Sequence, residues 1–166
     1  MTQQACVISH LSVELPTKTL FHDLDFSLFA QQKSALIGRN GQGKSVMMQI
    51  LHQQPNHLPF VGQILWQMPH AYLKQLHRLD VQTIAEALDV EQYHQTFKRI
   101  EQGTATFDDY ERAENFWHLP QLWLMQLQQA NLPTDLDFPV MLLSEGQKTK
   151  LALCRLFLLK DHYLLL

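Results

Sequence analysis

Gly38-Arg39-Asn40-Gly41-Gln42-Gly43-Lys44-Ser45 fits the pattern G-x-x-x-x-G-K-[ST] without a mismatch. Its chemistry requires these residue types in this order. Glycines let the backbone curl until successive N–H groups point inward at phosphate oxygens. A helix that starts at the end of the loop adds its partial positive charge at the same point. Lys44 can place a point charge against β- and γ-phosphates, and the Ser45 hydroxyl can ligate Mg²⁺. A chance match in a chain this long has a probability of about 1% at average residue frequencies.

The flanks agree with the loop. Ser34-Ala35-Leu36-Ile37 is a short apolar run without alternation, which predicts a strand covered on both faces. After the loop, Val46, Met47, Ile50 and Leu51 have helical spacing, and Pro55 and Pro59 end that helix. Toward the N-terminus the pattern is β. Val7-Ile8 is a short apolar pair, Leu11–Leu15 and Asp25–Phe29 alternate, and Pro16 to Thr19 reads as a turn. Toward the C-terminus, Gly62–Trp66 and Ala71–Leu73 read as strands. From Val81 to about Leu132 the spacing is helical, broken by Gly103 and interrupted by Pro120, with Trp117 expected in the core. A loop follows from Asn131 to Pro139, then a helix from about Glu145 to Leu159 and the start of a buried strand at Tyr163–Leu166.

Composition narrows the function classes. Of 166 residues, 46% are hydrophobic and 17% charged, which describes a folded globular chain. A formal net charge of −3 gives nucleic-acid binding no support, and no direct DNA contact is expected. The two cysteines, Cys6 and Cys154, have neither disulfide-framework nor zinc-ligand spacing, so a reducing cytoplasm is the expected home. No apolar run approaches the ~20 residues that span a bilayer.

A second motif narrows the reading. Leu143-Ser144-Glu145-Gly146-Gln147-Lys148 opens the last helix; on its own it reads as a helix start with Ser144 as cap. With the phosphate loop, in this order and spacing, it resembles the LSGGQ signature of ATP-binding cassette (ABC) proteins, with Glu145 in place of the first Gly. Asn40–Ser45 is similar to the cassette form NGxGKS. Tyr72-Leu73-Lys74-Gln75 resembles the cassette Q-loop, and Leu20–Leu24 the segment leading into the cassette core. Arg99–Gly103, Asp109 and Trp117-His118-Leu119-Pro120 are similar to the insert of the ABC-F branch, whose members carry two cassettes in one chain without transmembrane parts.

The resemblance implies an α/β fold. A P-loop NTPase core (1–80 and 141–166) would carry an N-terminal antiparallel β part and a helical insert at about 81–140, together forming an incomplete cassette. It implies ATP and Mg²⁺ as cofactors. Gly38, Asn40, Gly41, Gly43, Lys44 and Ser45 would hold nucleotide; Gln75 would position Mg²⁺ and the attacking water. Ser144, Gly146 and Gln147 would close on the γ-phosphate held by a second cassette. The ribosome is the implied partner of an ABC-F protein. A membrane transporter subunit is the partner if the chain is instead a transporter's nucleotide-binding subunit, and a non-catalytic nucleotide-binding module is the third reading. Two departures carry expectations. Val13 to Thr19 contains no aromatic residue to stack on adenine. The Asp and catalytic Glu of the family would come after Leu166, so these 166 residues are expected to hydrolyse ATP poorly.

Overall fold

The computed structural model describes residues 3–53, 58–73, 82–159 and 161–166. The chain divides into two compact units, residues 1–73 with 160–166, and residues 74–159.

The first unit is built on a long hairpin. β1 (Gln4–Leu15) and β2 (Lys18–Phe29) pair antiparallel, and β3 (Val61–Trp66) adds to the other edge of β1, giving the order β2-β1-β3. The hairpin closes with Leu15 opposite Lys18, a tighter turn than the expected Pro16 to Thr19. β1 is one continuous strand where the alternation suggested two pieces. Its register shifts between Ile8 and Leu11, with His10 at φ 54°, and again between Leu11 and Val13, across from Asp23 at φ 48°. These bulges interrupt the period of two without ending the strand. At the same place Gly62 of β3 runs so close that a Cβ would lie 2.6 Å from the Ser9 and His10 carbonyl oxygens, and its φ of 115° also favours glycine.

α1 (Lys44–Leu51) buries Met47, Ile50 and Leu51 against Cys6, Ile8, Leu11 and Val13 of β1. Each fully buried aliphatic side chain of this set contributes about 1.5–3 kcal/mol. The Trp66 indole N–H donates to the Leu51 carbonyl at 2.8 Å and so satisfies one of the open carbonyls at the helix end. β4 (His70–Tyr72) pairs parallel with β5 (Tyr163–Leu165), and the connection between these two strands is long enough to include the whole second unit. The strand expected at Ser34–Ile37 does not form. The segment is irregular, with Leu36 50% and Ile37 89% exposed. An apolar run becomes a two-faced strand only beside neighbours that complete its ladder, and no described strand pairs with it.

The second unit is helical: α2 (Ile84–Ala87), α3 (Glu91–Glu101), α4 (Phe107–Ala113), α5 (Leu119–Gln129), a 3₁₀ turn at Val140–Leu142, and α6 (Glu145–Leu158). Gly103, at φ 70°, ends α3 as expected. Pro120 does not interrupt a helix but opens α5, where its missing N–H costs nothing. Trp123, not Trp117, is the core indole; Trp117 is 54% exposed with its ring set against Phe97. α6 packs here through Leu151 and Cys154, so the signature helix shares the core of the helical unit.

Candidate nucleotide site

The phosphate loop takes its shape from two left-handed glycines. Gly41 has φ 79° and Gly43, the residue before α1, has φ 92°. Gln42 sits between them. Turns of this kind direct consecutive N–H groups into one concavity, and the first N–H groups of α1 have no intrahelical acceptor. Met47 N–H makes the first helical bond, to the Gly43 carbonyl at 2.8 Å. No side chain caps α1. At Gly43, where φ is positive, the loop disfavours a larger residue. A Cβ on Gly43 would lie 2.9 Å from Cζ of Phe21, and one on Gly38 would lie 2.8 Å from Oε1 of Gln42.

The side chains complete the site. The Lys44 ammonium arcs back over the loop and donates to the carbonyls of Gly38 (2.7 Å) and Arg39 (3.0 Å). Gln42 Oε1 accepts from the Arg39 N–H at 3.0 Å. Ser45 lies on the first turn of α1, and Asn40 is exposed in the loop. The loop and the start of β2 line a cavity of ≈ 390 Å³, with Lys18, Phe21, Gly38 and Lys44 among its walls. This donor set fits a Mg²⁺-nucleotide: hard hydroxyl oxygen for the metal, ammonium and backbone N–H groups for phosphate.

Sequence reasoning missed the β2 wall. Phe21 packs beneath Gly43, and the Lys18 ammonium donates to the Gly41 carbonyl at 2.8 Å. The tight turn that carries Lys18 to the loop is a matter of register, which alternation alone does not give.

The signature residues lie in the second unit, at the start of α6. Ser144 caps that helix: its hydroxyl accepts from the Gln147 N–H at 3.3 Å, and Gln147 Oε1 accepts from the Ser144 N–H at 2.9 Å. At Gly146 a Cβ would meet nothing within 4 Å. Glu145 projects into solvent, 86% exposed, with its carboxylate 2.8 Å from the Lys148 ammonium. Gln75 lies outside the described residues; the strand before it, β4, continues with the Leu73 N–H donating to the Leu165 carbonyl at 2.8 Å.

Several of the residues that suggested an ABC-F insert serve the helical fold. The buried carboxylate of Asp109 pairs with the Arg99 guanidinium and accepts from the Thr106 N–H at 3.0 Å, stapling α3 to the start of α4. Gly103 and Pro120 end and open helices. None of these roles distinguishes a branch.

Comparison with known proteins gives the same answer about the cassette and a different one about the branch. The profile of the family described as ABC transporter matches residues 21–166. The cytochrome c biogenesis ATP-binding export protein CcmA of Shigella flexneri is 31% identical over 153 residues, covering 89% of this chain and 66% of its own length. CcmA of Escherichia coli K12 gives the same identity and coverage. The chain therefore spans just under two thirds of the length of these curated relatives. Among solved structures, an ATP-binding subunit of an ABC transporter matches with a TM-score of 0.63 at 21% identity, over 96% of this chain and 65% of that one. An inward-facing metal-chelate-type ABC transporter matches with a TM-score of 0.60 at 20% identity, over 93% and 57%. The two structures share the mixed α/β fold. The relatives are export proteins, and the ABC-F reading with its ribosome partner finds no support among them.

Proposed function

The chain belongs to the ABC transporter family, and we propose that it is the ATP-binding part of a transporter's nucleotide-binding subunit, of the kind the cytochrome c biogenesis export relatives represent. One observation carries the reading: left-handed Gly41 and Gly43 turn the loop onto the start of α1, with Lys44 folded over it. In this reading the loop N–H groups and Lys44 hold the β- and γ-phosphates, and Ser45, with Gln75, holds Mg²⁺, which neutralises developing charge in phosphoryl transfer. Ser144 and the Gly146 N–H contact the γ-phosphate of a nucleotide on a second cassette, with Gln147 locking the Ser144 rotamer. A membrane subunit receives the resulting motion, which places the protein on the cytoplasmic side. No helix among the described residues is long and apolar enough to cross a membrane itself.

Phosphoryl transfer to water also needs a group that positions the nucleophile. In this reading Gln75 helps position the attacking water, and the loop binds Mg-ATP. Thermal denaturation tests the binding. At about 100 times its dissociation constant, Mg-ATP stabilises by ~2.7 kcal/mol. The melting point should rise accordingly, and Lys44→Ala should abolish the rise. A rise that survives Lys44→Ala, or none in the unsubstituted chain, would overturn the reading.

A further inference from the structure

We propose that Lys18 is a second cation of the nucleotide site, binding the polyphosphate of the nucleotide. The proposal rests on the phosphate-loop reading above and deepens it.

The tight β1–β2 turn places Lys18, the first residue of β2, beside the loop. Its ammonium donates to the carbonyl of Gly41, the first of the two left-handed glycines, at 2.8 Å. It lines the same cavity as Gly38, Gln42 and Lys44. Lys44 reaches the loop from the opposite end, through the Gly38 and Arg39 carbonyls. Two ammonium groups therefore converge on one short stretch of backbone. Among the described residues no carboxylate lies within ion-pairing distance of Lys18. A lysine ammonium has three donors, and a neutral carbonyl uses one without neutralising its charge. A polyphosphate supplies both the acceptors and the charge.

The alternative role for Lys18 is a staple that shapes the loop through Gly41 alone. Charge count and salt separate the two. Dissociation constants for Mg-ATP and Mg-ADP would be measured for the unsubstituted chain, Lys18→Ala and Lys18→Arg, at low salt and at about 0.5 M. A charge-assisted hydrogen bond from Lys18 to phosphate predicts that Lys18→Ala weakens ATP about tenfold and ADP by clearly less. High salt should shrink the ATP penalty to about twofold, because exposed charges are screened. Lys18→Arg, which keeps the charge, should stay within about threefold of the unsubstituted chain. Equal, salt-insensitive weakening of ATP and ADP, or none, would overturn the role of Lys18 and leave the phosphate-loop reading standing. An unsubstituted chain that binds neither nucleotide would sink both.

Discussion

Gly43 shows how much of the site rests on single residues. Its φ of 92° lies where an L side chain is strained, and its missing Cβ leaves room for the Phe21 ring. Gly43→Ala should cost about 1–3 kcal/mol of stability in the first unit through backbone strain and crowding of that ring. It should weaken Mg-ATP binding more than about tenfold, since the strain relaxes by moving the N–H groups that hold phosphate. Chemical denaturation and nucleotide titration of the same variant check both effects.

Histidines set the pH response of the same unit. Burial lowers the pKa of His52 and of His70, the latter stacked 4.1 Å from Trp66 and facing His52 and His162. The unfolded chain takes up protons near pH 6.5 that these two rings resist when folded, so their stabilisation is present above that pH and declines as pH falls below it. His10 works in the opposite direction. The hydrogen bond with Asp23 and the charges of Asp25 and Asp23 raise its pKa, so its stabilisation is present below pH 6.5 and declines as pH rises through the raised value. Melting points across this range should fall on the acid side, and His70→Gln should flatten that limb. His10→Ala should flatten only the alkaline limb. An acid limb unchanged by His70→Gln would refute the assignment.

At the scale of elements, the α3–α4 staple has the clearest consequence. Arg99 and the Thr106 N–H hold the Asp109 carboxyl well below the usual carboxylate range. Its contribution is therefore present above about pH 4 and declines as pH falls further. Asp109→Asn should lower the melting point of the helical unit at neutral pH and have less effect in acid, near about pH 3. Leu127, fully buried in the same unit, should cost about 2–5 kcal/mol when changed to Ala.

The elements also show what sequence can and cannot tell. The starts of α1 and α6 are legible because glycines, a cap and apolar spacing agree there. Pro120 misleads because a proline inside a periodic pattern reads as a break, whereas the chain uses it at a helix start. The bulge at His10 hides the continuity of β1, since one extra residue erases a period of two. Ser34–Ile37 has the composition of a buried strand, but composition cannot supply its neighbours. Lys18 escapes notice, and Phe21 is noticed only as part of the segment leading into the core, because their roles depend on hairpin register. The insert misleads because residues that hold its helices together, Arg99 and Asp109 above all, resemble a branch marker.

At the scale of the whole molecule, the phosphate loop and the signature belong to different units. In the proposed cassette pair each serves a different nucleotide, so the signature is not needed for nucleotide binding at this chain's own loop. Ser144→Ala should therefore leave Mg-ATP affinity within about twofold, with its cost confined to the α6 cap at about 1 kcal/mol. A large drop in affinity would contradict the division of labour between the two motifs.

Backbone hydrogen exchange with and without Mg-ATP tests the central claim most directly. Nucleotide held as proposed should slow exchange at the amides of residues 41–46, and Lys44→Ala should remove that protection. Protection elsewhere with none at 41–46 would mean that the loop is not where this protein holds its nucleotide.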